Sequence, residues 1–261
     1  MTNDFNFKFN DTIAVVSGGF QGIGKAIISQ LISSGCKVYT IDPKFPNTLD
    51  DKFTVNKNVI RYSGYTSNSD DMENLFQYIY SKESRVDFLV NNAGIYFYKD
   101  IENSSLQDFN NIVSANILGE FNMTKYCTKL LKNSTHPSIV NIASVSGQRT
   151  EEGHTLYSTT KGATLAFTKA LAADFGKYKI RVNSVSPGNI KTPMNDLDIE
   201  AQSKIKGRSF AETEKEYSSE SILRRRGTAD EVASVVLFLL SSASNYINGE
   251  DIIIDGGLYL V

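Results

Sequence analysis

Tyr157 and Lys161 place a phenol and an ammonium four residues apart, in Tyr157-Ser158-Thr159-Thr160-Lys161. On a helix those side chains share one face. A tyrosine hydroxyl titrates near pKa ~10, too high for efficient proton transfer at neutral pH. A lysine charge beside it favours the phenolate and lowers that value. YxxxK alone is equally the pattern of a packed tyrosine and a solvated lysine. Ser144 lies thirteen positions earlier (157 − 144), after the apolar run Ile139-Val140-Asn141-Ile142-Ala143. Such a short, β-branched run predicts a buried strand. A hydroxyl at the carboxyl end of a central strand stands where open α/β sheets bind ligands.

The elements that must position these groups can be read around them. Ser17-Gly18-Gly19-Phe20-Gln21-Gly22-Ile23-Gly24 follows the apolar run Ile13-Ala14-Val15-Val16 and leads into a helical pattern of Ile23, Ile27 and Leu31, closed by Gly35. Strand, glycine turn and helix in that order bring the backbone close to a pyrophosphate at the helix N-terminus. The spacing of Gly18, Gly22 and Gly24 is GxxxGxG, and as a lone motif it could equally be a structural turn. Strands are predicted near 13–17, 37–42, 58–62, 86–91, 138–144, 180–185 and 251–255, with helical patterns between them. That alternation predicts an α/β fold, a doubly wound (Rossmann) parallel sheet of about seven strands with helices on both faces. From about 190 to 224 the chain is polar and irregular, punctuated by Pro193 and Gly207, as a lid or binding segment would be.

With these features in view, the chain resembles a short-chain dehydrogenase/reductase of the type with a TGxxxGIG cofactor turn and a Ser-Tyr-Lys site, over nearly its whole length. Ser17 to Gly24 matches the turn, with Ser in place of Thr; Asn91-Asn92-Ala93-Gly94 matches NNAG; Pro187-Gly188-Asn189-Ile190-Lys191-Thr192 matches PGxxxT; Asp255-Gly256-Gly257 matches the DGG near the end. Asn116, Ser144, Tyr157 and Lys161 match the catalytic residues in order. The resemblance implies one dinucleotide-binding and catalytic domain over residues 1–261, with a lid at about 190–224 containing short helices. Tyr157 would then be the general acid in ketone reduction and the base in alcohol oxidation. Lys161 would hold its pKa down and bond the nicotinamide ribose. Ser144 would donate to the substrate oxygen, and Asn116 would hold a water linking Lys161 to solvent. Phe20, Gln21 and Ile23 belong to the cofactor turn. Asn92, Ala93 and Gly94 would pass beneath the adenosine, Pro187 and Gly188 would line the nicotinamide face, and Ile190 and Thr192 would hold its carboxamide.

Asp42 bears on the cofactor. It ends the second strand pattern eighteen residues after Gly24 (42 − 24), where a carboxylate can bond a ribose diol and repel a 2′-phosphate. NAD(H) is therefore expected in preference to NADP(H), although Lys44 could still tolerate a phosphate and Asp42 could merely cap a turn with Pro43. Three positions depart from the family pattern. Tyr65 stands where an acidic residue usually meets the adenine amine. Thr228 with Glu231 replaces Pro-Glu-Glu and forms a capping box. Arg224-Arg225-Arg226 is a basic run that reads as a salt-bridged surface more than as a clamp for an acidic substrate.

The polar stretch between Ser144 and Tyr157 (Ser146, Gln148, Arg149, Glu151, Glu152, His154) faces an aromatic group, Tyr96, Phe97 and Tyr98. Such a pocket suits a small polar secondary alcohol or ketone: a polyol, sugar or hydroxyketone. One alternative is a 3-oxoacyl-thioester (acyl-carrier-protein) reductase; the usual basic docking positions align with Thr135 and Tyr178, which are not basic. The other is a non-catalytic NAD(H)-binding sensor or scaffold, a class that typically loses the Tyr or Lys kept here.

The remaining composition excludes more than it suggests. The chain has 261 residues and a net charge of −2, which gives no global attraction to nucleic acid or anionic membrane. Apolar runs such as Val235 to Leu240 are too short to span a bilayer. The N-terminus shows no secretory signal pattern. Two cysteines, Cys36 and Cys127, are too few for a disulfide framework and fit a reducing cytoplasm. No metal-ligand spacing occurs. The helix from Tyr157 to Phe175 is apolar on more than one face, which predicts a subunit contact, and relatives suggest a homotetramer.

Overall fold

Alternation within the first strand already dictates a sheet buried on both faces: Ile13 and Val15 point one way, Ala14 and Val16 the other, and all four are buried. The computed structural model describes residues 7–46, 53–56 and 58–260. Its strands are β1 (Ile13–Ser17), β2 (Lys37–Ile41), β3 (Phe53–Asn56), β4 (Val59–Tyr62), β5 (Phe88–Asn91), β6 (Ser138–Ile142), β7 (Arg181–Pro187), β8 (Ile190–Lys191), β9 (Gly227–Thr228) and β10 (Asp251–Ile254). Its α-helices are α1 (Gly22–Ser33), α2 (Ser69–Lys82), α3 (Leu106–Val113), α4 (Gly119–Leu131), α5 (Thr155–Phe175), α6 (Pro193–Lys206), α7 (Phe210–Glu220) and α8 (Ala229–Leu240).

Seven strands form the parallel sheet, in the order β10-β7-β6-β5-β1-β2-β4, which is the expected doubly wound fold. An eighth strand, β3, extends the edge antiparallel to β4 and was not expected. It is only four residues long, and the link Lys57-Asn58 lacks the glycine that marks a two-residue hairpin. The strand order reverses at β1, which pairs with β2 on one side and β5 on the other. Ligand sites in open sheets form outside the carboxyl ends at that reversal.

On one face Val16, Val38, Val90 and Val140 pack against Ile27 and Leu31 of α1 and Val232 and Val236 of α8. On the other, Val15, Leu89 and Ile139 meet Leu75 and Phe76 of α2, Met123 and Cys127 of α4, and Leu171 of α5. Each such side chain contributes up to about 1.5–3 kcal/mol by leaving water. This double cover fixes the strand ends, and hence the loops that carry the chemistry.

Two features are more regular or more unusual than the sequence implies. The stretch from 190 to 224 holds two full helices. Thr192 caps α6, accepting from the Asn195 N–H at 3.3 Å, with Pro193 in the first turn and Gly207 in the left-handed region (φ 61°) at its end. α7 opens on a capping box of Ser209 and Glu212. Arg226, 5% exposed, ties both helices together through Asp196 (2.8 Å) and Glu214 (2.5 Å). Two arginines of the basic run are thus salt-bridged, since Arg225 also pairs with Glu231 at 2.6 Å, while Arg224 donates to the Ser219 carbonyl. Between α3 and α4 the helix continues through a wide, π-helical turn, Ser114–Leu118, in which the Gly119 N–H bonds the Ser114 carbonyl. Such turns hold a surplus residue and often mark functional sites. Among the described residues no helix is long and apolar enough to cross a membrane.

Candidate active site

The turn after β1 is shaped by close approach. A Cβ on Gly18 (φ 71°) would stand 2.8 Å from the Ala93 Cα, and one on Gly24 would stand 2.1 Å from the Gly18 carbonyl oxygen. The loop after β5 holds this turn in place. The Asn92 side-chain amide donates to the carbonyls of Ser17 (3.0 Å) and Gly18 (2.9 Å), and the Ser17 hydroxyl accepts from the backbone of Asn92 and Ala93. Gln21 caps α1 without a side-chain hydrogen bond, so the first-turn N–H groups keep their capacity to bind an anion. Asp42, just beyond β2, is buried. Its carboxylate accepts from the Phe20 N–H at 3.1 Å and the Lys44 N–H at 2.9 Å.

A cavity of about 960 Å³ runs along these carboxyl ends. Gly18, Gln21, Gly22, Ile23, Asp42 and Tyr65 line one end. Asn92, Ala93 and Gly94 follow, then Pro187, Gly188, Ile190 and Thr192, and with them Ser144, Tyr157 and Lys161. Three residues expected at the site do not line it. Phe20 packs edge-on against Phe45, its ring centroid 5.8 Å away. Gly24 serves the packing of α1 against its own turn. Asn116 spends its side chain internally: Oδ1 accepts from the Ile95 N–H (2.8 Å), and Nδ2 donates to the Ile95 carbonyl (3.1 Å) and the Thr160 hydroxyl (3.0 Å). It thereby ties the chain after β5 to α5.

α5 presents Tyr157 and Lys161 on one face, as their spacing requires. The Lys161 ammonium donates to the Ile142 carbonyl at the end of β6 (2.7 Å) and lies 5.7 Å from the centre of the Tyr157 ring. Ser144 follows β6; its side chain accepts from the Ser146 N–H at 3.2 Å and lies with Tyr157 on the cavity wall. The electrostatics differ from expectation. Although Tyr157 borders the cavity, enclosure of its hydroxyl pushes the phenol up to about 12; Ser144 pulls it down and Asp198 pushes it up further. Burial pushes Lys161 down, against the charge of Glu120. In this arrangement desolvation outweighs the expected lowering of the phenol by the lysine.

At the opposite end of the cavity α6 and α7 meet the core through Asp198, a residue that sequence reasoning missed. Its carboxylate accepts from the hydroxyls of Tyr96 and Tyr217 (the latter at 2.9 Å), with His154 Nε2 at 3.7 Å. His154 Nδ1 faces the Glu152 carbonyl at 3.0 Å, so it carries a proton. Nε2 lies 3.2 Å from the Tyr96 oxygen. Burial alone would lower the pKa of His154, but Asp198 more than reverses this and the net shift is upward. Burial alone would raise Asp198, but the nearby His154 ring and the hydroxyls of Tyr96 and Tyr217 more than reverse that and bring it down. Tyr96 also packs edge-on against Tyr157, centroids 5.1 Å apart. No periodicity marks Asp198 in so polar a helix. Glu120 was missed too, although helical spacing with Met123, Cys127 and Leu130 places it on the buried face of α4.

The described residues hold no cluster of His, Cys, Asp or Glu able to bind a metal ion. The glycine cradle, the uncapped helix start and the length of the cavity fit a dinucleotide.

Comparison with known proteins agrees with this geometry. The family model described as Enoyl-(Acyl carrier protein) reductase matches residues 18–259. The 3-oxoacyl-(acyl-carrier-protein) reductase FabG of Aquifex aeolicus is 33% identical over 258 residues, 97% of this chain and 99% of that one. Among solved structures, ligand-free aldohexose dehydrogenase of Thermoplasma acidophilum has a TM-score of 0.85 at 30% identity, covering 97% of this chain and 95% of that one. ElxO with NADP bound has a TM-score of 0.82 at 28% identity, covering 96% and 99%.

Proposed function

The chain belongs to the short-chain dehydrogenase/reductase family, and from that premise we propose that it is an NAD(H)-dependent oxidoreductase of a small polar secondary alcohol or ketone: a polyol, sugar or hydroxyketone. The observation that carries the proposal is the meeting of Ser144, Tyr157 and Lys161 on one cavity wall, between the glycine turn and the lid. The nicotinamide, when bound, supplies the hydride chemistry. Tyr157 gives a proton to a ketone oxygen or takes one from an alcohol. Ser144 orients that oxygen and stabilises its developing charge. Lys161 supplies positive charge beneath Tyr157. Gly18, Gln21, Gly22 and Ile23 cradle the phosphates, Tyr65 stacks on the adenine, and Ile190 and Thr192 hold the carboxamide. Asn116, through its grip on Ile95 and Thr160, sets the wall opposite Lys161, and residues 190–224 cover the substrate.

Preference for NAD(H) rests on Asp42, whose carboxylate lines the nucleotide end of the cavity. Lys44 is the counterweight, although its ammonium is engaged by Gln21 Oε1 at 3.2 Å. The polar rim of Arg149, Glu151, His154 and Glu220, together with the likeness to an aldohexose dehydrogenase, supports a hydroxylated substrate. A second reading, reduction of an acyl-carrier-bound ketone, draws on the FabG relative and on Lys132 and Lys177. Their ammonium groups lie 3.8 and 5.2 Å from the centre of the Tyr178 ring and make that surface basic. A homotetramer is proposed from the exposed apolar residues Phe109, Leu118 and Phe121. A cytoplasmic location fits two free, buried thiols, of which burial pushes Cys36 up to about 12.

The test is purified protein with NAD+ and a panel of polyols and aldoses, followed by absorbance, beside NADH and 3-oxoacyl thioesters. Oxidation of a polyol or aldose supports the first reading, and thioester reduction alone supports the second. Tight NADH binding without turnover of any substrate would leave a sensor or scaffold.

A further inference from the structure

The inward face of α4 carries Met123, Cys127 and Leu130, all buried and apolar, and one turn before them a carboxyl group, Glu120, 9% exposed. An ionisable group so placed costs desolvation free energy unless a partner offsets it. Its hydrogen bonding is incomplete: Oε2 accepts from the Thr164 hydroxyl at 2.8 Å, while Oε1 is buried with no hydrogen-bond donor from the protein. Thr164 lies three residues after Lys161 on α5. One turn earlier Asn116, in the wide turn that leads into α4, joins Thr160 of α5 at 3.0 Å. Glu120 therefore lies on the seam between α4 and α5, behind the lysine that faces Tyr157.

We propose that Glu120 is a positioning residue for the reaction: its carboxyl group, held against Thr164, stabilises Lys161 as an ammonium and so sustains the positive charge offered to Tyr157. The inference rests on the role given to Lys161 above. The charged groups around the pair are few. Lys161 from α5 is the charge that acts on Glu120, and Glu120 from α4 is the one that acts on Lys161; burial opposes the charged form of both. Asp198 of α6 acts on Tyr157. The remaining neighbours along the seam are neutral: Asn91 of β5 bonds Thr124 at 3.0 Å, Asn141 of β6 bonds Thr168 at 2.9 Å, and Asn122 bonds the Thr66 carbonyl at 3.0 Å. With no other charge acting on Lys161, replacing Glu120 by a neutral side chain leaves the lysine in a desolvated site with nothing to hold its proton.

The test uses the full chain without cofactor or substrate, labelled with carbon-13 at the lysine ε-carbon, the Lys161 signal being identified by its loss in Lys161→Met. Glu120→Gln keeps the shape and the acceptor for Thr164; Glu120→Val removes both. Each is expected to lower the midpoint of the Lys161 titration by a pH unit or more, a tenfold change in its acid dissociation. Coupling is reciprocal, so Lys161→Met should raise the midpoint of the Glu120 carboxyl, read by infrared difference against Glu120→Gln. An unchanged Lys161 midpoint in folded Glu120→Gln overturns the proposal, as does a shift seen with valine alone, the mark of a packing defect. If neither Glu120 variant folds, labelled glutamate in Lys161→Met decides, and an unmoved carboxyl overturns it. Because no turnover is measured, failure of the hydride-transfer reading and failure of this one are told apart.

Discussion

At the scale of single residues, the proposed chemistry depends on the Tyr157 oxygen. Tyr157→Phe is expected to lower turnover by roughly a hundred- to ten-thousand-fold, the usual worth of a positioned general acid or base, with NADH binding intact by fluorescence. Substantial remaining activity would move the proton donor elsewhere. Asp42→Ala should weaken NADH about ten- to a hundredfold, the loss of one or two hydrogen bonds to a charged group, and narrow the gap to NADPH; unchanged affinity would remove Asp42 from the account. His154 and Asp198 carry a pH dependence. The raised His154 contributes stability that is complete below the ordinary histidine value of ~6.5 and is lost as pH rises through its higher folded value. The lowered Asp198 contributes above the ordinary carboxylate value of ~3.9 and loses its share only as pH falls through its lower folded value. The melting-temperature difference between the protein and His154→Gln should therefore shrink as pH climbs past neutral, and a constant difference would refute the assignment. Ser144, Tyr157, Lys161 and Asp42 were legible because their types and spacing are tied to a strand end or a helix face. Asp198 was not, because its partners Tyr96, His154 and Tyr217 come from three distant parts of the chain.

At the scale of elements, apolar alternation and glycine punctuation sufficed for β1, β2, β5, β6 and β7, which are almost wholly buried, and for α1, whose buried stripe Ile27, Ile28 and Leu31 follows a glycine turn. The same signals weaken where one side of an element meets water. α6 and α7 looked irregular because polar residues outnumber apolar ones in both, yet Pro193 and Gly207, taken as breaks, turn out to begin and end α6. These helices are held chiefly by Arg226 and by the Asp198 cluster. Arg226→Ala should cost about 1.5–3 kcal/mol, the range for a hydrogen-bonded charge, discounted because Asp196 and Glu214 are partly exposed. Hydrogen exchange should quicken across α6 and α7 while the sheet stays protected. Uniform loss of protection would mean that these two helices and the sheet open together.

At the scale of the whole molecule, the sheet edge and the outer face of α4 bear on assembly. Phe121 is 45% exposed on α4, and half-exposed residues run along β10. Phe121→Glu is expected to convert a tetramer to smaller species by light scattering. A wild type that is monomeric at all concentrations would dismiss the assembly. The wide turn at Ser114–Leu118 has a wider consequence. The extra residue is taken up inside the turn, so α3 and α4 keep the phase of one continuous helix. Deleting it would let them fuse into a regular rod, a better helix by local rules, while flattening the bulge from which Asn116 reaches Ile95 and Thr160, so a shortened chain would gain backbone regularity and lose the tie between the chain after β5 and α5.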